Sequence, residues 1–314
     1  MALAEQLTVI GAGGVRLSAE QAGEGAPIVL LHGLTATRRY VVMGSKALER
    51  SGHRTIAYDA RGHGHSSPAP SPEAYTYDLL AKDLAALLDE LQIERAVLAG
   101  ASMGAQTALR FALEHPSRVA ALGLITPAFD PDAHGKGSVP EKHGKGFVAE
   151  EHGKSFAREG SGEGFAPGKQ GEEDSYASWD RLARGLREGG VEGFIAAYDF
   201  NAVPERWHET LTIVLRQRLS AHDHPLAVAD ALQVVPRSRP FEHWEELQSV
   251  VVPTVVIASR DEADPTHPLA VGESYAAAIP GARLIVEEPG LSPIAWQGGQ
   301  LSRVLAELSD SARR

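Results

Sequence analysis

Leu98-Ala99-Gly100-Ala101-Ser102-Met103-Gly104-Ala105 is the stretch that decides how the rest of the chain is read. It follows an apolar run, Ala96–Ala99, that suits a strand buried on both faces. After it, Ala105, Leu109 and Leu113 recur at helical spacing, and Pro116 closes the segment. The G-x-S-x-G pattern therefore sits on a strand-to-helix turn, which is the context that gives the pattern chemical meaning. Glycines on either side permit a tight, strained turn that pushes the serine side chain out of the sheet. The start of a helix also favours negative charge developing beside it. In this setting Ser102 is a candidate nucleophile. The plain alternative is a turn serine with no chemistry.

Working outward, strands and helices alternate. Leu7–Ile10 and Val15–Ala19 predict a hairpin around the Gly11-Ala12-Gly13-Gly14 turn. That glycine cluster is no dinucleotide loop, because the residues after it alternate like a strand and not like a helix. Ile28–Leu31, Thr55–Tyr58 and Ala121–Ile125 predict further buried strands. Leu80, Leu84, Leu87, Leu88 and Leu91 mark one face of a helix between two of them. Alternation resumes late in the chain with Val251–Ala258, Pro268–Ala278, Leu284–Glu287 and Leu301–Leu308 as strand, helix, strand and helix. The expectation is an α/β fold with a mostly parallel, eight-stranded sheet and right-handed crossovers. Residues 1–127 and 241–314 form its core, and residues 128–240 are a cap inserted after the sixth strand. Within the cap, residues 134–170 repeat His-Gly-Lys with a period of nine. They read as a flexible, solvated segment, since that spacing fits no compact metal site. Ser175 to about Leu232 reads as three or four helices.

Composition narrows the function. The chain has 314 residues, 43% of them hydrophobic, enough for a large core. A formal charge of −11 argues against nucleic acid and anionic membrane as partners. Cysteine is absent, which removes disulfides and thiol-based metal or redox chemistry. No apolar run reaches the roughly 20 residues of a membrane helix, and the first residues do not look like a secretory signal. The expected compartment is the cytoplasm, and the expected partner is a small molecule, with no cofactor or metal.

A second element, Leu31-His32-Gly33-Leu34-Thr35, lies at the end of a predicted buried strand. Gly33 lets the backbone turn sharply, so that the N–H groups of Leu34 and Met103 can form a two-donor oxyanion hole. His32 reads as a brace for this loop and not as a base.

These elements together resemble the α/β-hydrolase superfamily, in its esterase, lactonase and haloperoxidase-like branch, over residues 7–127 and 241–310. Tyr58-Asp59-Ala60-Arg61-Gly62-His63-Gly64-His65-Ser66 matches the D-x-R-G-x-G-x-S loop of that superfamily, where it is mostly structural. A serine at the elbow argues against the epoxide-hydrolase and haloalkane-dehalogenase branches, whose nucleophile is aspartate. The resemblance implies an acid after the Val251–Ala258 strand, in Ser259-Arg260-Asp261-Glu262-Ala263-Asp264-Pro265-Thr266-His267-Pro268. Both Asp264 and Asp261 meet the D-x-x-x-P spacing. Asp264 is preferred because Pro268 then opens the next helix.

The resemblance also implies a Gly-His pair after the last strand. Here Leu291 stands in that place, within Pro289-Gly290-Leu291-Ser292-Pro293, and no histidine comes after His267. Leucine accepts no proton, and a serine without a base is a poor nucleophile. Three explanations compete: a histidine from elsewhere (His267, or His208, His222, His224 or His243 in or near the cap), a different role, or a substitution at position 291. The expected function is a serine hydrolase of carboxylesterase type acting on a small ester or lactone, with Ser102 and Asp264 catalytic and Leu34 and Met103 in the oxyanion hole. Against it stand a hydrolase-fold protein without turnover, either a binding module or a lyase-like enzyme, and a cofactor-free perhydrolase or haloperoxidase.

Overall fold

The computed structural model describes residues 4–133 and 176–313. The expected readings of the period-nine repeat therefore lie outside the described residues. Eight strands form one sheet: β1 (Glu5–Ile10), β2 (Arg16–Ala22), β3 (Ala26–Leu31), β4 (His53–Tyr58), β5 (Ala96–Ala101), β6 (Val119–Ile125), β7 (Thr254–Ala258) and β8 (Arg283–Val286). Their spatial order is β1-β2-β4-β3-β5-β6-β7-β8. The β1–β2 hairpin joins the sheet antiparallel to β4, and every pair from β4 across to β8 is parallel.

The order explains where a site can form. The chain leaves β3 toward β4 on one side and later returns to β5 on the other. The loops after β3 and β5 therefore diverge and leave a crevice at the strands' carboxyl ends. Gly33 and Ser102 lie in those two loops.

Alternating residues of the parallel strands feed two apolar layers. After the single-turn helix α1 (Ala47–Arg50), the longer α2 (Tyr77–Glu90) and α3 (Met103–Glu114) pack with Val29, Leu31, Leu98 and Leu122 on one face. Ile28, Leu30, Val97 and Ala99 pack on the other face against the carboxyl-terminal helix Gly298–Ser311, through Leu301, Leu305 and Leu308. Leu84, Leu87 and Leu88 of α2 are fully buried, as their spacing predicts, while Leu91 lies just past the helix end. Truncating any one of them would cost about 2–5 kcal/mol in lost transfer energy and cavity. Covering both faces makes the parallel sheet a rigid base for the loops at its edge.

Between β6 and β7 the described chain builds a helical cap. Its helices are Ala177–Ala197, His208–Leu219 and Pro225–Val234. The first reverses direction at Gly190, whose φ of +61° is open to glycine at little cost. Leu186, Phe194, Leu215, Leu219, Val228 and Leu232 form the cap's own apolar cluster, and Leu34 of the β3 loop packs against it. Ala227 and Ala231 of the last cap helix join Met103, Tyr75 and Tyr77 in a neighbouring cluster, which Leu34 also touches. Side chains of both expected oxyanion-hole residues thus sit in the seam between core and cap. No helix among the described residues is long and apolar enough to cross a membrane.

Candidate active site

Ser102 occupies the turn between β5 and α3 with φ 51° and ψ −112°, a conformation costly for a residue with a Cβ. Two close approaches hold it there. A Cβ on Gly100 would lie 2.1 Å from the Gly104 carbonyl oxygen, and one on Gly104 would lie 2.2 Å from that of Leu31. Both outer positions of the motif must be glycine for α3 to pack this tightly on β3 and β5. The Ser102 N–H donates to the Ile125 carbonyl at 2.9 Å, anchoring the turn to β6. The side chain is left projecting over the crevice.

The β3 loop approaches from the other side. A Cβ on Gly33 would lie 3.5 Å from the Ser102 Cβ. Among the described residues, neither the Leu34 nor the Met103 N–H has a hydrogen-bond acceptor. His32 braces this loop: its Nδ1 lies 2.8 Å from the Gly33 carbonyl, and its Nε2 accepts from the Ala60 N–H at 2.9 Å. Burial, with help from nearby His63, holds the His32 ring down at about 3, so it is neutral and its nitrogens are committed. His63 lies beside the same loop, its Nδ1 2.9 Å from the Arg61 carbonyl and its Nε2 2.6 Å from the Leu34 carbonyl.

The D-x-R-G-x-G-x-S segment is structural throughout. Asp59 accepts from the Arg38 N–H at 2.8 Å and pairs with the Arg38 guanidinium. Arg61 is fully buried on Asp83, with two hydrogen bonds of 2.7 Å. A separate cleft lined by Glu20, Arg38, Lys46 and Glu49 contains none of the residues around Ser102.

The loop after β7 supplies two groups. Asp264-Pro265-Thr266-His267 forms a turn closed by His267 N–H to the Asp264 carbonyl at 3.4 Å. Pro265 presets the backbone of such a turn. The turn folds His267 back onto its own acid, so that His267 Nδ1 lies 2.7 Å from Asp264 Oδ2. His267 Nε2 then lies 2.7 Å from Ser102 Oγ. The other Asp264 oxygen accepts from Thr266 Oγ1 at 2.7 Å.

Electrostatics suit this order. Burial pulls the His267 ring down, but the Asp264 charge and hydrogen bond outweigh it, and the net shift is upward. Burial opposes ionisation of Asp264 too, yet His267, Thr266 and the Arg218 charge bring it to about 2. A carboxylate, an oriented imidazole and a hydroxyl in line can pass the hydroxyl proton to the ring as the oxygen attacks a carbon centre.

Of the two candidate aspartates, Asp261 is turned elsewhere. Its Oδ1 accepts from the Ala263 N–H at 2.9 Å, and burial beside Asp264, Glu287 and Glu262 raises its pKa. Pro268 caps the helix Leu269–Ala278 one residue earlier than its expected place.

Position 291 does lack a base: Leu291 is 61% exposed, in a turn closed on Glu288. Of the three explanations for that gap, the geometry favours a histidine from elsewhere: His267, three residues after Asp264 and not after the last strand, contacts Ser102. Among the described residues, no other ring contacts Ser102 Oγ. His208 binds the Val203 carbonyl, His222 accepts from the Gly64 N–H, and His224 and His243 are exposed.

Fold and site together define an α/β-hydrolase-fold protein with a serine–histidine–carboxylate relay at the carboxyl ends of its central strands. The family described as alpha/beta hydrolase fold matches residues 26–157. The AB hydrolase superfamily protein YisY of Bacillus subtilis is 36% identical over 119 residues, covering 37% of this chain and 44% of that one. Epoxide hydrolase 2 of Siraitia grosvenorii is 36% identical over 118 residues, covering 37% of this chain and 36% of its own. The chain thus spans less than half the length of these curated relatives. Among solved structures, a thermophilic esterase from Thermogutta terrifontis superposes with a TM-score of 0.70 at 22% identity, covering 99% of this chain and 100% of that one. The chain has the α/β-hydrolase fold, and its residues 26–157 match that family.

Proposed function

We propose that this protein is a serine hydrolase of the carboxylesterase type, acting on a small ester or lactone. One observation carries the reading: an unbroken hydrogen-bonded line, 2.7 Å at each step, from Ser102 Oγ through His267 to Asp264. In the proposed reaction Ser102 Oγ adds to the ester carbonyl as His267 Nε2 takes its proton. The Leu34 and Met103 N–H groups receive the carbonyl oxygen as it becomes an oxyanion. His267 then gives the proton to the departing alkoxide, leaving an acyl-serine. A water molecule, deprotonated by the same ring, releases the acid and restores Ser102. Asp264 keeps the Nδ1 proton toward itself and stabilises the charged imidazole. No residue in this sequence of steps needs a cofactor.

The relatives include an epoxide hydrolase, a class whose elbow nucleophile is an aspartate; serine at position 102 favours acyl transfer. A fluorophosphonate reagent is expected to label Ser102 and to lose that label in Ser102→Ala. Hydrolysis of 4-nitrophenyl esters should vanish with the label. Absence of both labelling and ester hydrolysis in the parent protein would overturn the reading.

A further inference from the structure

We propose that Arg218 is a receptor for a carboxylate carried by the substrate, so that the enzyme acts on esters or lactones bearing a free acid group. The proposal rests on the serine-hydrolase reading above and adds the substrate class.

Arg218 lies on the cap helix His208–Leu219, between the buried residues Leu215 and Leu219. At three residues after Leu215 it flanks the inward stripe, while Arg216 points out to Glu192. Its guanidinium lies 4.9 Å from the centre of the Trp296 ring and 5.5 Å from that of Tyr40. Trp296 comes from the loop after β8, and Tyr40 from the turn just beyond the oxyanion loop. Its charge also acts on Asp264, His267 and Tyr198.

Five other cap arginines each have a carboxylate: Arg187 with Asp230, Arg206 with Glu262, Arg216 with Glu192, Arg237 with Asp180 and Arg239 with Glu242; Arg181 and Arg184, which make no ion pair among the described residues, are exposed to water. Arg218 has no carboxylate partner among the described residues, and its buried Nε has no hydrogen-bond acceptor. Asp264 makes neither a hydrogen bond nor an ion pair with Arg218; its two oxygens are held by His267 and Thr266. A desolvated guanidinium without an acceptor is costly, and burial lowers its pKa accordingly. Aromatic contacts offset part of that cost and fix the ion, but they leave its N–H edges unused. A planar fork of donors, held between Trp296 and Tyr40 and acting on the Asp264–His267 pair, matches a carboxylate in two-point contact.

The test compares two esters of equal length, mono-4-nitrophenyl adipate and neutral 4-nitrophenyl hexanoate, on the full chain. The parent protein should prefer the anionic ester in kcat/KM by about tenfold or more. Arg218→Met should bring that ratio close to one, with thermal melting used to verify folding. Arg218→Lys, which keeps the charge and loses the fork, should fall between. Equal turnover of both esters by the parent would overturn the proposal and leave the hydrolase reading standing. So would an equal fall for both esters in Arg218→Met, since Arg218 would then act on the relay and not on substrate. If neither ester is cleaved and Ser102 is not labelled, the hydrolase reading itself fails. Calorimetric titration with adipate then decides the receptor alone: binding lost in Arg218→Met supports it, and no binding to the parent overturns it.

Discussion

Two loops leave neighbouring strands of the same sheet and do different work. The loop after β7, residues 259–268, is a compact turn whose polar groups are nearly all engaged. Ser259 and Arg260 bind Glu287, Asp261 caps Ala263, and Asp264 holds both Thr266 and His267. The loop after β8, residues 287–297, leaves Leu291 in solvent and turns Trp296 inward onto Arg218. In this chain Asp264 and the ring that contacts Ser102 come from one turn, and the β8 loop instead meets the cap through Trp296 and Arg218. The difference teaches that a base is defined by where its ring nitrogen lies, since proton transfer depends on a distance of about 3 Å and not on the strand that delivers it.

Substitutions can break this contrast. The largest effect is expected at His267→Ala, which should lower kcat for a 4-nitrophenyl ester by about 10⁴–10⁶-fold, as loss of a base does in such relays. Asp264→Asn should come next with about 10⁴-fold, by releasing the ring from its tautomer and orientation. Asp261→Asn, assayed beside it, should change kcat far less. If the two aspartate variants respond equally, the assignment of the acid fails.

The pH dependence sharpens the same point. His267 must be neutral to accept the Ser102 proton, and its pKa lies above the ordinary 6.5. Then kcat/KM should rise about tenfold per pH unit up to an inflection above 6.5 and level off beyond it. An inflection well below that value would mean that another group limits the reaction.

Stability should show the opposite behaviour of the bracing histidines. Burial depresses His32 and His222 from 6.5 to about 3, and His63 in the same direction. Below 6.5 the unfolded chain takes up protons that these native rings refuse, so their contribution is full above that pH and is lost as pH falls toward about 3. Each can remove about 1.4 kcal/mol per pH unit. His267, with its raised pKa, works against the loss, because its contribution is greatest below 6.5. Urea midpoints should therefore fall from pH 7 to pH 5, and the fall should shrink in His222→Gln. The smallest effect is expected at Leu291→His, because position 291 is solvent-exposed and His267 already contacts Ser102 Oγ. A large gain in esterase activity there would show that His267 is not competent.

Much of this was legible in the residues. The elbow was readable because Gly100 is demanded by Gly104 one turn away and the motif sits between a strand pattern and a helix pattern, although Gly104 answers to the distant Leu31 carbonyl of β3. The acid loop was readable to the level of Asp264 over Asp261, since the proline spacing is local. Arg218 left a fainter signal, a cation on the border of an apolar helical stripe, which does not say what it faces.

His267 is the instructive case. The spacing marked Asp264 as the acid and left His267 as one of five candidate bases; the structure shows the turn folding that ring onto its own carboxylate within four residues. That the far side of the ring meets Ser102 is a relation across 165 positions of sequence. It depends on β5 and β7 flanking β6 in the sheet and on the depth at which each strand ends. The sequence by itself determined the alternating α/β frame, the strained serine and the local acid turn, since all three arise from short-range sterics and periodicity. Only the tertiary structure decided which ring reaches the serine and which cation the cap turns toward it, because those are distances between segments fixed by packing.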